Sequence, residues 1–199
     1  MIELTEEQLA WERESKVAGP AFEVGGHAPR LMIFGAVPLS AALCRAARAV
    51  HWIPHVIDPR ARFARPEAFP DAERVVVAWP AEAVAELGGI DEATAVALLT
   101  HAAELDDPAL IIALRSPAFY VGAMGSRNTQ RRRRDRMAAA GLTEDELARL
   151  SGPAGLDLGG RTAAETAVAI LAEAIAARHG REGGRLTASE HAIHVAGRP

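Results

Sequence analysis

The chemistry-bearing residues of this 199-residue chain are easiest to find in the stretch FYVGAMGSRNTQRRRRDRM, residues 119–137. An apolar run ends at Gly122, a turn passes through Gly125, and Ser126 stands where a helix N-cap belongs. The N–H groups of residues 126–129 would then point outward at the end of a strand, where a helix start attracts anions. Arg127 adds a fork of donors to that cradle. The arginines at 131, 132, 133, 134 and 136 fall all around a helix, so most of them are expected to face solvent or a partner.

Three other segments could work beside it. In LMIFGAVPLS a strand ends at Gly35, and the next strand ends at Asp58, 23 positions later. That is the layout of a dinucleotide site, with diphosphate on a helix start at Gly35 and Ala36 and the acid on ribose hydroxyls. Only the first glycine of G-x-G-x-x-G is present, and Val37 and Pro38 add a Cβ and remove an N–H at the turn. A purely structural turn is the competing reading. In THAAELDDP, His101 follows a strand and could act as a general base or ligand, or simply bond the loop while Asp106 or Asp107 caps a helix with Pro108 in its first turn. In GPAGLDLGGRTAAE, an apolar strand bounded by glycines leads past Asp157 into a helix, and its glycines allow either a close ligand approach or only a turn.

Two further signals do not amount to sites. His191 and His194 lack a third ligand, so no metal site is expected, and Cys44 in an Ala-rich helix reads as a buried thiol. No residue is assigned a catalytic role.

Positioning these residues requires a sheet. Short runs rich in β-branched residues at 31–35, 55–58, 74–79, 95–100 and 119–122 alternate with Ala-rich helical segments. The pattern predicts an α/β fold: a doubly wound, mostly parallel Rossmann-like sheet with helices on both faces. Thr162 and Glu165 form a capping box, and apolar positions 164, 167, 168, 171, 174 and 175 predict the buried stripe of the last helix. The expected organisation is an N-terminal arm at 1–29, a Rossmann-like domain at 30–180 and a polar tail at 181–199.

Composition narrows the function classes. A net charge of -4 supplies no general field for a polyanion, so nucleic acid is not an expected partner. One cysteine excludes an internal disulfide framework, and no run of apolar residues is long enough to span a membrane. A soluble cytoplasmic protein is expected, with the apolar helix 163–176 as the basis for a possible homodimer.

DPRARFARPEAFPDAERVVVAWP, the LTH and LDDPAL segments, YVGAMGSRNT and GLDLGGRTAAETAVAILAEAIA together resemble the C-terminal Rossmann domain of the XdhC/CoxI family over about residues 30–185. The resemblance implies an accessory protein for maturation of a molybdenum hydroxylase of the xanthine dehydrogenase or carbon monoxide dehydrogenase type. Such a protein would bind molybdenum cofactor (molybdopterin) transiently, pass it to the apoenzyme and work with a cysteine desulfurase. Family positions correspond to Gly35, Asp58, His101, Gly122, Gly125, Ser126, Arg127 and Asp157.

The chain departs from the family at GAVP in place of Gly-Ala-Gly-His, at THAAE in place of Thr-His-Asp-Pro-Lys, and at GSRN in place of Gly-Ser-Arg-Arg. Family members also carry a cysteine in an N-terminal domain, where this sequence has a short arm; sulfur handling is therefore expected from another chain. The alternative expectation is an NAD(P)-dependent oxidoreductase with His101 as acid/base.

Overall fold

The computed structural model describes residues 28–189. Six parallel strands form one sheet in the order β3-β2-β1-β4-β5-β6. They are β1 (Arg30–Phe34), β2 (Ile53–Ile57), β3 (Arg74–Val76), β4 (Thr94–Leu98), β5 (Tyr120–Ala123) and β6 (Leu150–Ser151). The helices are α1 (Pro38–Ala49), α2 (Pro80–Glu86), α3 (Ala103–Arg115), α4 (Arg127–Ala139), α5 (Glu144–Ala148) and α6 (Ala163–Arg178). The doubly wound Rossmann expectation is met, with the strand order reversing between β1 and β4.

Strand side chains alternate between two cores. Leu31, Ile33, Val56, Ala95 and Ala97 face α1 and α6, which pack against each other through Leu43, Cys44, Ala47, Ala167, Ile170 and Ala174. Met32, Phe34, Ile57, Val96, Leu98 and Val121 face the other side, against Ala83 of α2, Leu110 and Leu114 of α3, and Met137 of α4. Because both faces are covered, β1 and β4 are apolar after their first residues, Arg30 and Thr94, rather than alternating with polar residues. Burying a Leu or Ile in such a core contributes roughly 1.5–3 kcal/mol.

Four local expectations are corrected. β3 stops at Val76, and Trp79 becomes the N-cap residue of α2, whose first residue is Pro80; Val77 and Trp79 are exposed. The strand read between Gly155 and Gly159 is a loop, and the sixth strand is instead the dipeptide Leu150–Ser151 paired with β5. α3 begins at Ala103, so Asp106 and Asp107 do not cap it and Pro108 lies inside it. The buried stripe of α6 is Ala167, Ala169, Ile170, Leu171 and Ala174, while Val168 is 52% exposed and Ala164 is also exposed. The Thr162–Glu165 capping box forms as expected.

Candidate functional site

All the expected site residues except Asp157 and Gly122 sit at or just beyond the carboxyl ends of β1, β2, β4 and β5, where doubly wound sheets bind ligands. They form two groups.

The first group is the β1 turn. Gly35 has φ 112°, and a Cβ there would lie 2.7 Å from Thr100 Cγ2, so only glycine fits. The Ala36 N–H donates to Asp58 Oδ2 at 2.9 Å, while Arg60 grips the same carboxylate through Nε (2.9 Å) and Nη2 (2.8 Å) and donates its own N–H to Oδ1 at 3.0 Å. Burial by itself raises the Asp58 carboxyl, but the Arg60 fork and the two backbone donors outweigh it and hold the acid below its usual range. Asp58 thus ties the β1 turn to the segment after β2. Val37 N–H meets only Ser40 Oγ, at 3.4 Å, and Pro38 has no N–H, so the α1 start offers few donors to a diphosphate.

The second group surrounds the start of α4. Gly125 has φ 130°, and a Cβ on it would stand 2.9 Å from Thr129 Cγ2. Ser126 caps the helix by accepting the Thr129 N–H at 3.2 Å, as its position in the sequence implies. The first-turn N–H groups of Arg127 and Asn128 have no acceptor within the helix. Arg127 is exposed, and its side chain makes no hydrogen bond or ion pair among the described residues. Gly122 lies within β5 under the Tyr120 ring, whose hydroxyl donates to Glu173 Oε2 at 2.6 Å. Burial is the main force raising that phenol's pKa, with Glu173 adding to it. Gly122 therefore makes room for a structural tyrosine within the strand.

A groove of about 170 Å³ opens between α3 and α4, lined by His101, Ala103, Asp106, Thr129, Arg132, Arg133 and Arg136. His101 is exposed on its rim. Here the reading of the arginine run changes most. Arg133 is only 1% exposed, its Nη2 donates to Asp106 Oδ2 at 2.9 Å, and its Nη1 reaches Gln130 Oε1 (2.7 Å) and the Met124 carbonyl (3.0 Å). Its Nε is buried without a partner. Thr100 donates to the other Asp106 oxygen at 3.0 Å, and Gln130 Nε2 reaches the Ala123 carbonyl at 2.8 Å. Burial pushes the Asp106 carboxyl up, against the pull of Arg133 and Thr100.

The result is a polar chain running across the sheet edge, from Thr100 beside Gly35 to Gln130 beside Gly152. Sequence reasoning missed Thr100, Gln130 and Arg133. The usable signal was an aspartate inside a helix start together with a Gln–Arg pair three residues apart on the neighbouring helix. Of the remaining arginines, Arg134 pairs with Glu144, Arg136 with Asp107 and Arg131 with Asn128, and Arg132 has no such partner among the described residues.

Asp157 stands apart: it is exposed on the loop between β6 and α6, whose backbone is anchored by Ala154 N–H to the Ala123 carbonyl and by Leu156 N–H to the Ala169 carbonyl. Cys44 is buried, as expected, and burial, helped by Asp71, pushes its thiol up to about 12. His191 and His194 lie outside the described residues, and among those described no three His, Cys, Asp or Glu side chains cluster as metal ligands. No described helix is long and apolar enough to cross a membrane.

Comparison with known proteins agrees with this architecture. The crystal structure of a xanthine dehydrogenase from Bacillus halodurans superposes with a TM-score of 0.66 at 25% identity, covering 94% of this chain and 54% of that one. The molybdenum cofactor insertion chaperone PaoD of Escherichia coli (strain K12) is 30% identical over 158 residues, 79% of this chain and 43% of that protein. A probable xanthine dehydrogenase component of Bacillus subtilis (strain 168) is 27% identical over 150 residues, 75% of this chain and 43% of that protein. The chain thus spans less than half the length of these curated relatives. The family model of the XdhC Rossmann domain matches residues 31–174, and the chain belongs to that family.

Proposed function

We propose that this protein is an accessory factor in the maturation of a molybdenum hydroxylase, one that holds molybdenum cofactor at the carboxyl edge of its sheet and delivers it to the apoenzyme. The observation that carries the reading is the turn from Gly125 to Arg127: a capped helix start with an unengaged arginine, beside a groove with another. It lies in a domain whose relatives include a molybdenum cofactor insertion chaperone.

The residues suit the phosphate-bearing end of molybdopterin. Gly125 supplies the left-handed turn, φ 130°, that brings the chain into the start of α4, and Arg133 Nε is a buried donor without an acceptor. Arg127, Arg132 and the N–H groups of the first turn of α4 would hold the anionic end. His101 and Thr129 border the same groove. When bound, the cofactor supplies the redox-active metal centre destined for the partner enzyme. This chain's own work is retention, orientation and release, and it needs no catalytic residue. The molybdenum hydroxylase apoenzyme is the proposed partner, with a cysteine desulfurase as a second, and the site of action is proposed to be the cytoplasm. An NAD(P)-dependent oxidoreductase is less well supported, because the Ala36 N–H is already committed to Asp58 and Pro38 has none to offer.

The test is titration of the full chain with molybdenum cofactor, wild type against Arg127→Ala. Loss of a charged hydrogen bond should weaken binding by about 1.5–3 kcal/mol, roughly 10- to 150-fold. No binding by the wild type, or equal binding by the variant, would refute the proposal.

A further inference from the structure

The groove between α3 and α4 lies one strand away from the β1/β4 crevice, where a doubly wound sheet would place a dinucleotide. We infer that this groove is a binding site for a phosphate monoester, and that it selects against a diphosphate-linked nucleotide. The inference deepens the proposed function and rests on it for the natural ligand, the terminal phosphate of the cofactor. The site itself is tested without that ligand.

Charge comes first. Three arginines and one acid line the groove, but two of the arginines are already matched: Arg133 by Asp106 at 2.9 Å, and Arg136 by Asp107 through Nε at 2.7 Å and Nη2 at 2.8 Å. Arg132 is left as the surplus positive charge, its side chain having no hydrogen bond or ion pair among the described residues. Both Asp106 oxygens are occupied, by Thr100 and Arg133, which masks the carboxylate that would otherwise repel an anion.

The second observation is independent of the first. Arg133 is 1% exposed and lines the groove, yet its Nε has no acceptor. A buried, charged N–H left unpaired is costly, and an anion oxygen would relieve it. The site also lies beside the first turn of the 13-residue helix α4, with Thr129 on its wall.

Size completes the case. A volume of about 170 Å³ holds a phosphate and the first atoms attached to it. Sites that bury most of a drug-sized ligand are larger, about 300–1,000 Å³, so only the phosphate end of a monoester would enter this groove. A monoester presents three terminal oxygens, enough to meet Arg132, Arg133 and His101 together. Each phosphorus of a dinucleotide carries one ester and one anhydride bridge and presents two.

The experiment is calorimetric titration of the full chain with inorganic phosphate, adenosine 5′-monophosphate and NAD. Phosphate and the monophosphate should bind, and NAD at least about tenfold more weakly than the monophosphate. Arg132→Gln should weaken phosphate binding about tenfold or more, whereas Arg131→Gln, an equal loss of charge on an exposed residue that does not line the groove, should change it less than about twofold. Both positions are exposed, so thermal melts confirm that each variant is folded. No phosphate binding by the wild type, equal losses in the two variants, or NAD binding as tight as the monophosphate would overturn the inference. Absent phosphate binding with Arg127-dependent cofactor binding intact removes this site alone. Phosphate bound but no cofactor bound removes the proposed function and leaves the site.

Discussion

Acid should destabilise this protein through a single buried imidazole. His55 on β2 is 6% exposed, and its Nδ1 is buried without a partner. Burial lowers its pKa from 6.5 to about 4 and Arg30 pushes the same way; Glu73 pulls against them, and Arg74 and Arg48 add smaller pushes downward. Below pH 6.5 the unfolded chain takes up a proton that the native state refuses until about pH 4, so the stability present at neutral pH is lost as pH falls through that window. With 1.36 kcal/mol per pKa unit, the shift corresponds to about 3 kcal/mol when fully developed and about 2 kcal/mol between pH 7 and pH 5. Urea unfolding of the wild type and of His55→Leu at those two pH values isolates the effect, because every other titrating group is common to both. The wild type should lose about 2 kcal/mol more than the variant, which is roughly 4–8 °C in Tm for a domain of this size. Equal losses within about 0.5 kcal/mol would show that the imidazole is solvated or charged in the native state, and the reasoning would fail.

Two further outcomes follow from the sheet edge. Arg133→Met should destabilise by about 3–5 kcal/mol because it strands Asp106 as a buried, unpaired acid, while the double variant Arg133→Met/Asp106→Leu should recover most of that loss in the same denaturation assay. Gly35→Ala should cost about 2 kcal/mol or more, since the residue has φ 112° and its new methyl would meet Thr100 Cγ2 at 2.7 Å; a melt unchanged from wild type would contradict that packing.

The fold was legible wherever a short apolar run had to be a buried strand. β1, β2, β4 and β5 fall where the β-branched runs place them, and Ser126 and Thr162 cap the helices they announce. What was hidden depended on distant partners. Nothing in RRRR distinguishes Arg133 from its neighbours; Asp106, reaching across from the adjacent helix, decides which arginine is buried. α3 begins three residues before Asp106, so a sequence resembling a cap is helix interior. α6 is apolar on nearly every side, so periodicity could not choose its buried face, and Val168 was assigned inward. β6 is two residues long and carries no pattern at all. The turn at Gly125 and the cap at Ser126 were legible because a turn followed by a cap is a local signal. The groove was missed because it is made by two helices meeting.

The clasp of Arg60 on Asp58 has a consequence for protein engineering. A designer wishing to graft nucleotide recognition onto this scaffold would begin by restoring glycine at Val37, yet the acid meant for the ribose would still be locked beneath its own arginine. Removing the Arg60 side chain alone would leave the Asp58 carboxylate with only the backbone donors of residues 36 and 60. Conversion therefore requires the turn, the arginine and the acid to change together.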